Sequence, residues 1–238
     1  LILFIGYSGF VCLCLVLMND FGTALIFFVA FLVIAYLRSG SFATIGLACT
    51  ATGFAGAVAA SLKPYILRRF SGWGHVWEHP YDSLGYQQTR AMMCIASGGL
   101  LGLGAGNGWL KYVAAADTDL VFAFVSEEWG LIIAITLVCA IVVLGVFVLR
   151  SCAVGRSSFY TIGACAAVAI FMTQTILNVF GTMDLLPLTG VTFPFLSNGG
   201  SSMLSSWGLL AFIKAADTRQ NASLAVKTAQ PEEVEPDE

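Results

Sequence analysis

The feature that most constrains this chain is a succession of apolar runs, each near the length that crosses a bilayer. A membrane-spanning helix needs about 20 apolar residues. Six runs qualify or nearly so, over 1–18, 21–37, 42–62, 120–149, 159–180 and 201–213. Hydrophobic residues make up 58% of the 238 positions and charged residues only 11%, with a mean hydropathy of +0.86. A soluble domain carries about 25% charged residues. This chain has too few charges to coat a water-facing surface, so its solvent must be largely lipid. The expected fold is all-α: a polytopic transmembrane bundle of about six helices.

Between the third and fourth runs lies one long polar segment, 63–118. It carries Lys63, Arg68, Arg69, His75, Glu78, His79, Asp82 and Arg90, and a short Gly-rich apolar piece over 91–106. That piece is too short to span and suits a re-entrant or interfacial element. Lys and Arg in short loops set orientation. Arg38, Arg150 with Arg156, and Lys214 with Arg219 alternate so that all fall on one side, the cytoplasmic one. The Asn19–Asp20 turn, the 63–118 loop and the 181–200 loop then face outward. Residues 1–216 read as the membrane domain and 217–238 as a disordered acidic cytoplasmic tail, which holds five of the fourteen acids within its last seven residues. The chain opens at Leu1 inside an apolar run, without a basic n-region or cleavage site. That reads as a piece with sequence missing upstream, not as a signal peptide.

Several function classes drop out. No basic run or face supports nucleic-acid binding. The seven cysteines form no CxxC pair or metal spacing and read as buried thiols. Residues 102–108 resemble a phosphate loop, but no strand precedes them and no Lys-Ser/Thr follows. His75 and His79 have i, i+4 spacing without a zincin acid.

Ionisable groups near the bilayer are costly and commonly functional. Asp20 sits where two apolar runs meet and can cap the second helix. Asp117 or Thr118 can cap the fourth, leaving Asp119 in its first turn, where an ionised carboxylate against apolar walls would serve as a general base. Glu127 and Glu128 lie deeper in that run and must face protein or water. Residues 185–202 combine prolines, glycines and hydroxyls at membrane depth. Such backbone must be buried in protein or line a wet cavity.

Together these places resemble one family. Asp20-Phe21-Gly22-Thr23-Ala24 is similar to its Pro-Asp-x-Gly-Thr-Ala. Gly85-Tyr86-Gln87 followed by 97–104 resembles its Gly-Tyr-Gln…Ser-Gly-Gly-x-x-Gly-x-Gly. Thr118-Asp119 with Glu127-Glu128-Trp129-Gly130 resembles its His-Thr-Asp…Glu-Glu-x-Gly. Leu186-Pro187-Leu188-Thr189-Gly190 with 194–202 resembles its Leu-Pro-x-Thr-Gly…Pro-Phe-x-Ser-Tyr-Gly-Gly-Ser-Ser. By these motifs the chain is identified as a member of the SEDS (FtsW/RodA/SpoVE) family, covering roughly the last six of its ten helices. It departs at Asp117, where the family often has His; at Asn198, in place of the usual Tyr; and at Arg90-Ala91, in place of a common Gln-Ser.

The resemblance implies a peptidoglycan glycosyltransferase of division, elongation or sporulation, which polymerises lipid II at the outer face of the cytoplasmic membrane. It implies Asp119 as the catalytic carboxylate, and Asp20, Gln87, Arg90, Lys111, Ser197, Gly199, Gly200, Ser201 and Ser202 as substrate-binding. Thr118, Glu127 and Glu128 would be supporting residues. A pyrophosphate leaving group needs cationic or metal help. Arg68, Arg69, Arg90 and Lys111 are available, and a divalent cation (Mg or Mn) is a further source. A class B penicillin-binding protein is the implied partner. The competing expectations are a flippase for lipid-linked precursors and a non-catalytic scaffold.

Overall fold

The computed structural model describes residues 2–62, 72–78, 80–82, 85–153 and 158–228, and every regular element among them is helical. In chain order these are α1 (Ile2–Leu17), α2 (Phe21–Ser39), α3 (Phe42–Leu62), α4 (Tyr86–Gly98), a 3₁₀ turn (Leu110–Tyr112), α5 (Val121–Glu128), α6 (Leu131–Ala153), α7 (Ser158–Thr182) and α8 (Gly200–Thr228). All six predicted runs are helical. Among the described residues, Phe21–Ser39, Leu131–Cys152 and Ser158–Thr182 are long and apolar enough to cross a membrane. The chain is a multi-pass membrane protein.

The fourth run differs from expectation. It is two helices, α5 and α6, broken at Gly130, whose φ is +89°. A helix break leaves backbone groups unpaired on both sides, and here the Gly-rich segment pairs them. The carbonyls of Glu127 and Glu128 accept from the amides of Leu103 (2.9 Å) and Gly104 (3.0 Å). The amides of Leu131 and Ile132 donate to the carbonyls of Gly99 (3.0 Å) and Leu100 (3.4 Å). The last helix also differs: it extends from Gly200 to Thr228, so 217–228 continue α8. Residues 229–238 lie outside the described residues.

Helix α7 is the hub, packing against α2, α6 and α8 and also reaching α4 and α5. Its buried stripe, Ala164, Ala167, Phe171, Thr175, Asn178 and Thr182, repeats every three or four residues. Small residues there let helices approach closely, which matters where lipid provides no hydrophobic drive for association. A second buried cluster, including Ala91, Leu110, Leu120 and Ala123, packs α4 and the 3₁₀ turn against α5.

The two ends of the bundle differ chemically. At one end Cys152 donates to the Thr161 carbonyl (3.8 Å) and Phe212 closes over Gly163. This places Arg150 and Lys214 together. Helix α2 runs antiparallel to α7, because Gly22 at its start touches Thr189 and Val191, just beyond the end of α7. Arg38, in its last turn, therefore joins them. That basic end is the one that the charge rule expects on the cytoplasmic side. The candidate residues gather at the opposite end.

Candidate active site

The backbone around Asp119 is set by Ala115, which adopts the left-handed conformation (φ +61°). Its carbonyl accepts from three amides, those of Thr118 (3.3 Å), Asp119 (2.9 Å) and Leu120 (3.3 Å). The chain thus reverses tightly just before α5. Capping was expected of Asp117 or Thr118, but Leu120 occupies the N-cap position and Asp119 precedes the helix. The reason is local. The Thr118 hydroxyl donates back to Ala115 (3.3 Å), and the Asp117 carboxylate is held by the Asn198 side chain (2.9 Å).

Three long-range ties fix this segment. Asn178, buried in α7, donates from Nδ2 to the carbonyls of Asp119 (2.9 Å) and Val191 (2.9 Å), and its Oδ1 accepts from the Phe122 amide (3.4 Å). Ser197 donates to the Thr118 carbonyl and accepts from the Phe193 amide, both at 2.7 Å. Asn198 donates its amide to the Asp117 carbonyl (2.8 Å) and its side chain to the Asp117 carboxylate. Two of the three departures from the family motif, Asp117 and Asn198, are therefore bonded to each other.

The half-buried carboxylate of Asp119 lies over Gly190, where a Cβ would stand 3.3 Å from Oδ2. Against the same loop, Gly22 packs so closely that a Cβ would meet Val191 Cγ2 at 2.6 Å and the Thr189 carbonyl at 2.9 Å. Asp20, exposed, caps α2 by accepting from the Thr23 amide (3.1 Å). Gly22, two residues beyond Asp20, and the Asp119 carboxylate thus both border the 189–191 loop. Farther along, the Thr192 and Ser202 hydroxyls share a 2.7 Å hydrogen bond. Gly199 packs on Ser202, while Gly200 and Ser201 are exposed at the start of α8.

The remaining candidates divide into structural and open positions. Glu127 is buried, and its two oxygens accept from the amides of Trp109 (2.8 Å) and Leu110 (2.9 Å). This carboxylate anchors the 3₁₀ turn. Burial, with the Glu127 carboxylate beside it, pushes the Cys94 thiol up to about 12. Glu128 is buried as well. Gln87 donates to the Ala114 carbonyl (3.1 Å), next to the turn at Ala115. The Arg90 guanidinium lies 5.3 Å from the Tyr86 ring centroid and 5.9 Å from that of Tyr81. Lys111 is exposed, bonds the Gly106 carbonyl and lies 5.3 Å from the Tyr112 ring centroid. Arg68, Arg69 and His79 fall outside the described residues.

Sequence reasoning missed Asn178, Gln88 and Asp184. Gln88 donates to the Gly181 carbonyl (2.8 Å), and Asp184 accepts from the Gly74 amide (3.2 Å), so the long loop is tied to the end of α7. For Asn178 a signal existed: a carboxamide inside an apolar helix is costly unless bonded.

A sequence profile described as "Cell cycle protein", that of FtsW, RodA and SpoVE, matches residues 1–222. The chain belongs to the FtsW/RodA/SpoVE family. It is 32% identical over 195 residues to the peptidoglycan glycosyltransferase RodA of Mycobacterium tuberculosis, covering 82% of this chain and 41% of that protein. It is 34% identical over 160 residues to a probable peptidoglycan glycosyltransferase FtsW of Wigglesworthia glossinidia brevipalpis, covering 65% and 42%. The chain spans less than half the length of these family relatives. Its fold matches a chain from a peptidoglycan synthase complex with a TM-score of 0.68 at 22% identity, over 92% of this chain and 60% of that one. The Gly-rich motif of the FtsW/RodA/SpoVE family has a packing explanation here. A Cβ on Gly98 would overlap the Ser126 carbonyl, and one on Gly102 the Glu128 carbonyl.

Proposed function

We propose that this chain is the C-terminal part of an inverting peptidoglycan glycosyltransferase, which polymerises lipid II into glycan strands at the outer face of the cytoplasmic membrane. One observation carries the reading. The Asp119 carboxylate is held over Gly190 at the end of the bundle opposite Arg38, Arg150 and Lys214. A substrate with a prenyl tail in lipid and a sugar head in water has its reaction centre at that boundary. Asp119 takes the proton from the acceptor sugar 4-hydroxyl. The freed oxygen pair attacks the donor anomeric carbon from the face opposite the leaving group. The bond to pyrophosphate breaks, and its electrons leave with undecaprenyl pyrophosphate.

Arg90 and Lys111 are the described cations suited to the leaving group. A divalent cation (Mg or Mn), when bound, would supply the same neutralisation. No three His, Cys, Asp or Glu side chains converge among the described residues. Such an ion would therefore take most of its ligands from pyrophosphate oxygens and water, as Mg commonly does. The names of the relatives support the enzyme reading over a scaffold. A flippase would carry its substrate-binding groups near the midplane, whereas Asp119 and the side chains that frame it gather at one end of the bundle. A class B penicillin-binding protein is the proposed partner, in keeping with the synthase complex that shares the fold.

The test is lipid II polymerisation by the purified full-length protein with its partner. A general base contributes about 10²-fold or more, so Asp119→Asn should lose at least that much strand synthesis while keeping its thermal stability. Near-normal synthesis by this variant removes the base role.

A further inference from the structure

The outer end of the bundle carries an apolar ridge that the proposed chemistry does not use. Residues 98–108 contain no ionisable side chain. Leu100, Leu101 and Leu103 stand out from them, Leu101 with 84% of its surface exposed. Trp109, 75% exposed, and Trp129, 51% exposed, flank the ridge. Contiguous exposed apolar surface of this kind marks a binding face.

The backbone says what the occupant is. The carbonyls of Gly99 and Leu100 pair with the amides of Leu131 and Ile132, the first turn of α6. A Cβ on Gly130 would overlap the Leu100 carbonyl, so the contact is closed to anything bulkier. The ridge is therefore fused to a 22-residue apolar span, Leu131–Cys152, long enough to cross a membrane. Ile132, Ile133 and Ile135 in that span are themselves exposed large hydrophobics. The exposed apolar surface of α6 thus continues onto Leu100 and Leu101 without a charged residue between them. Trp and Tyr are enriched at the headgroup level of membranes, and here Trp109, Tyr112 and Trp129 border the apolar ridge.

We propose that Leu100, Leu101 and Leu103 insert into the outer leaflet at the boundary of acyl chains and headgroups, with Trp109 and Trp129 at headgroup level. Residues 98–112 are then an interfacial anchor bound to lipid. Glu127 ties Trp109 and Leu110 to the same bend. The anchor therefore fixes the depth of the segment that leads into Asp119. This inference stands whether or not Asp119 is the base.

The test uses the full-length protein in nanodiscs of phosphatidylethanolamine and phosphatidylglycerol. Tryptophan emission is quenched with brominated lipid, comparing the parent with Trp109→Phe. A lipid-quenchable component should be lost in the variant. Independently, Leu101→Cys in a cysteine-free background carries an NBD label, with Glu78→Cys as the water-exposed reference. The label at 101 should emit at shorter wavelength than at 78, be quenched by doxyl lipids and resist iodide. Iodide quenching at 101, or no lipid-quenchable loss with Trp109→Phe, overturns the proposal. Protection of position 101 from both quenchers also overturns it, because a protein then covers the ridge.

Discussion

A Cβ on Gly190 would stand 3.3 Å from Oδ2 of Asp119, tighter than ordinary van der Waals contact, so the carboxylate would have to shift by a few tenths of an ångström to admit it. The glycine also has φ +71°, a region that costs a residue bearing a Cβ about 1–2 kcal/mol. Two demands meet at one position: backbone freedom and an open face beside the acid. Gly190→Ala is expected to lower lipid II polymerisation well beyond its effect on melting temperature. Equal losses in both would mean that the position matters only for folding.

Asn178 is the knot that joins the two halves of the site. Replacing it with Ala leaves the carbonyls of Asp119 and Val191 and the amide of Phe122 without this partner. Buried polar groups left unpaired cost about 1–3 kcal/mol each. Asn178→Asp should be no better, because an ionised carboxylate cannot donate to the two carbonyls. Both variants should melt earlier in detergent and lose activity. An unchanged melting temperature for Asn178→Ala would mean that these bonds contribute nothing net.

The helices were legible in the sequence because apolar length is a local property, summed along a run. The break at Gly130 was not, since it depends on carbonyls at Gly99 and Leu100, some thirty positions away. Pattern alone extends the run from 120 to 149 without interruption. Asp119 was legible as an acid at the edge of an apolar run within a recognisable motif. Its frame was not. Asn178, Ser197 and Gly190 acquire their roles only when three distant segments meet. Capping at Asp117 was a sound local expectation, overridden by the tertiary bond to Asn198.

Glu127 can be separated from the chemistry by experiment. Its carboxylate accepts two backbone amides, and hydrogen bonds to a charged group contribute about 1.5–3 kcal/mol each. Glu127→Gln keeps one acceptor and sets an NH₂ group against the other amide, so it should destabilise the fold markedly. Glu127→Ala should be worse. In preparations that remain folded, the pH dependence of polymerisation should match the parent. A displaced pH profile in folded Glu127→Gln would give this acid a direct part in proton transfer.

The pair Asp117 and Asn198 supports the sharpest test of how this chain departs from its family. The two are joined by a side-chain bond of 2.9 Å and a backbone bond of 2.8 Å. The family motif more often has His and Tyr at these places. If the positions form one unit, each single change should cost more than its share of the double change. Residues in direct contact show coupling of about 0.5–3 kcal/mol in double-mutant cycles. Asp117→His should set an imidazole against an amide, and Asn198→Tyr should crowd an acid with a ring. The double variant restores a family-like pairing and is expected to recover stability and activity above the additive value. Strict additivity in both readouts would show that the two departures are independent.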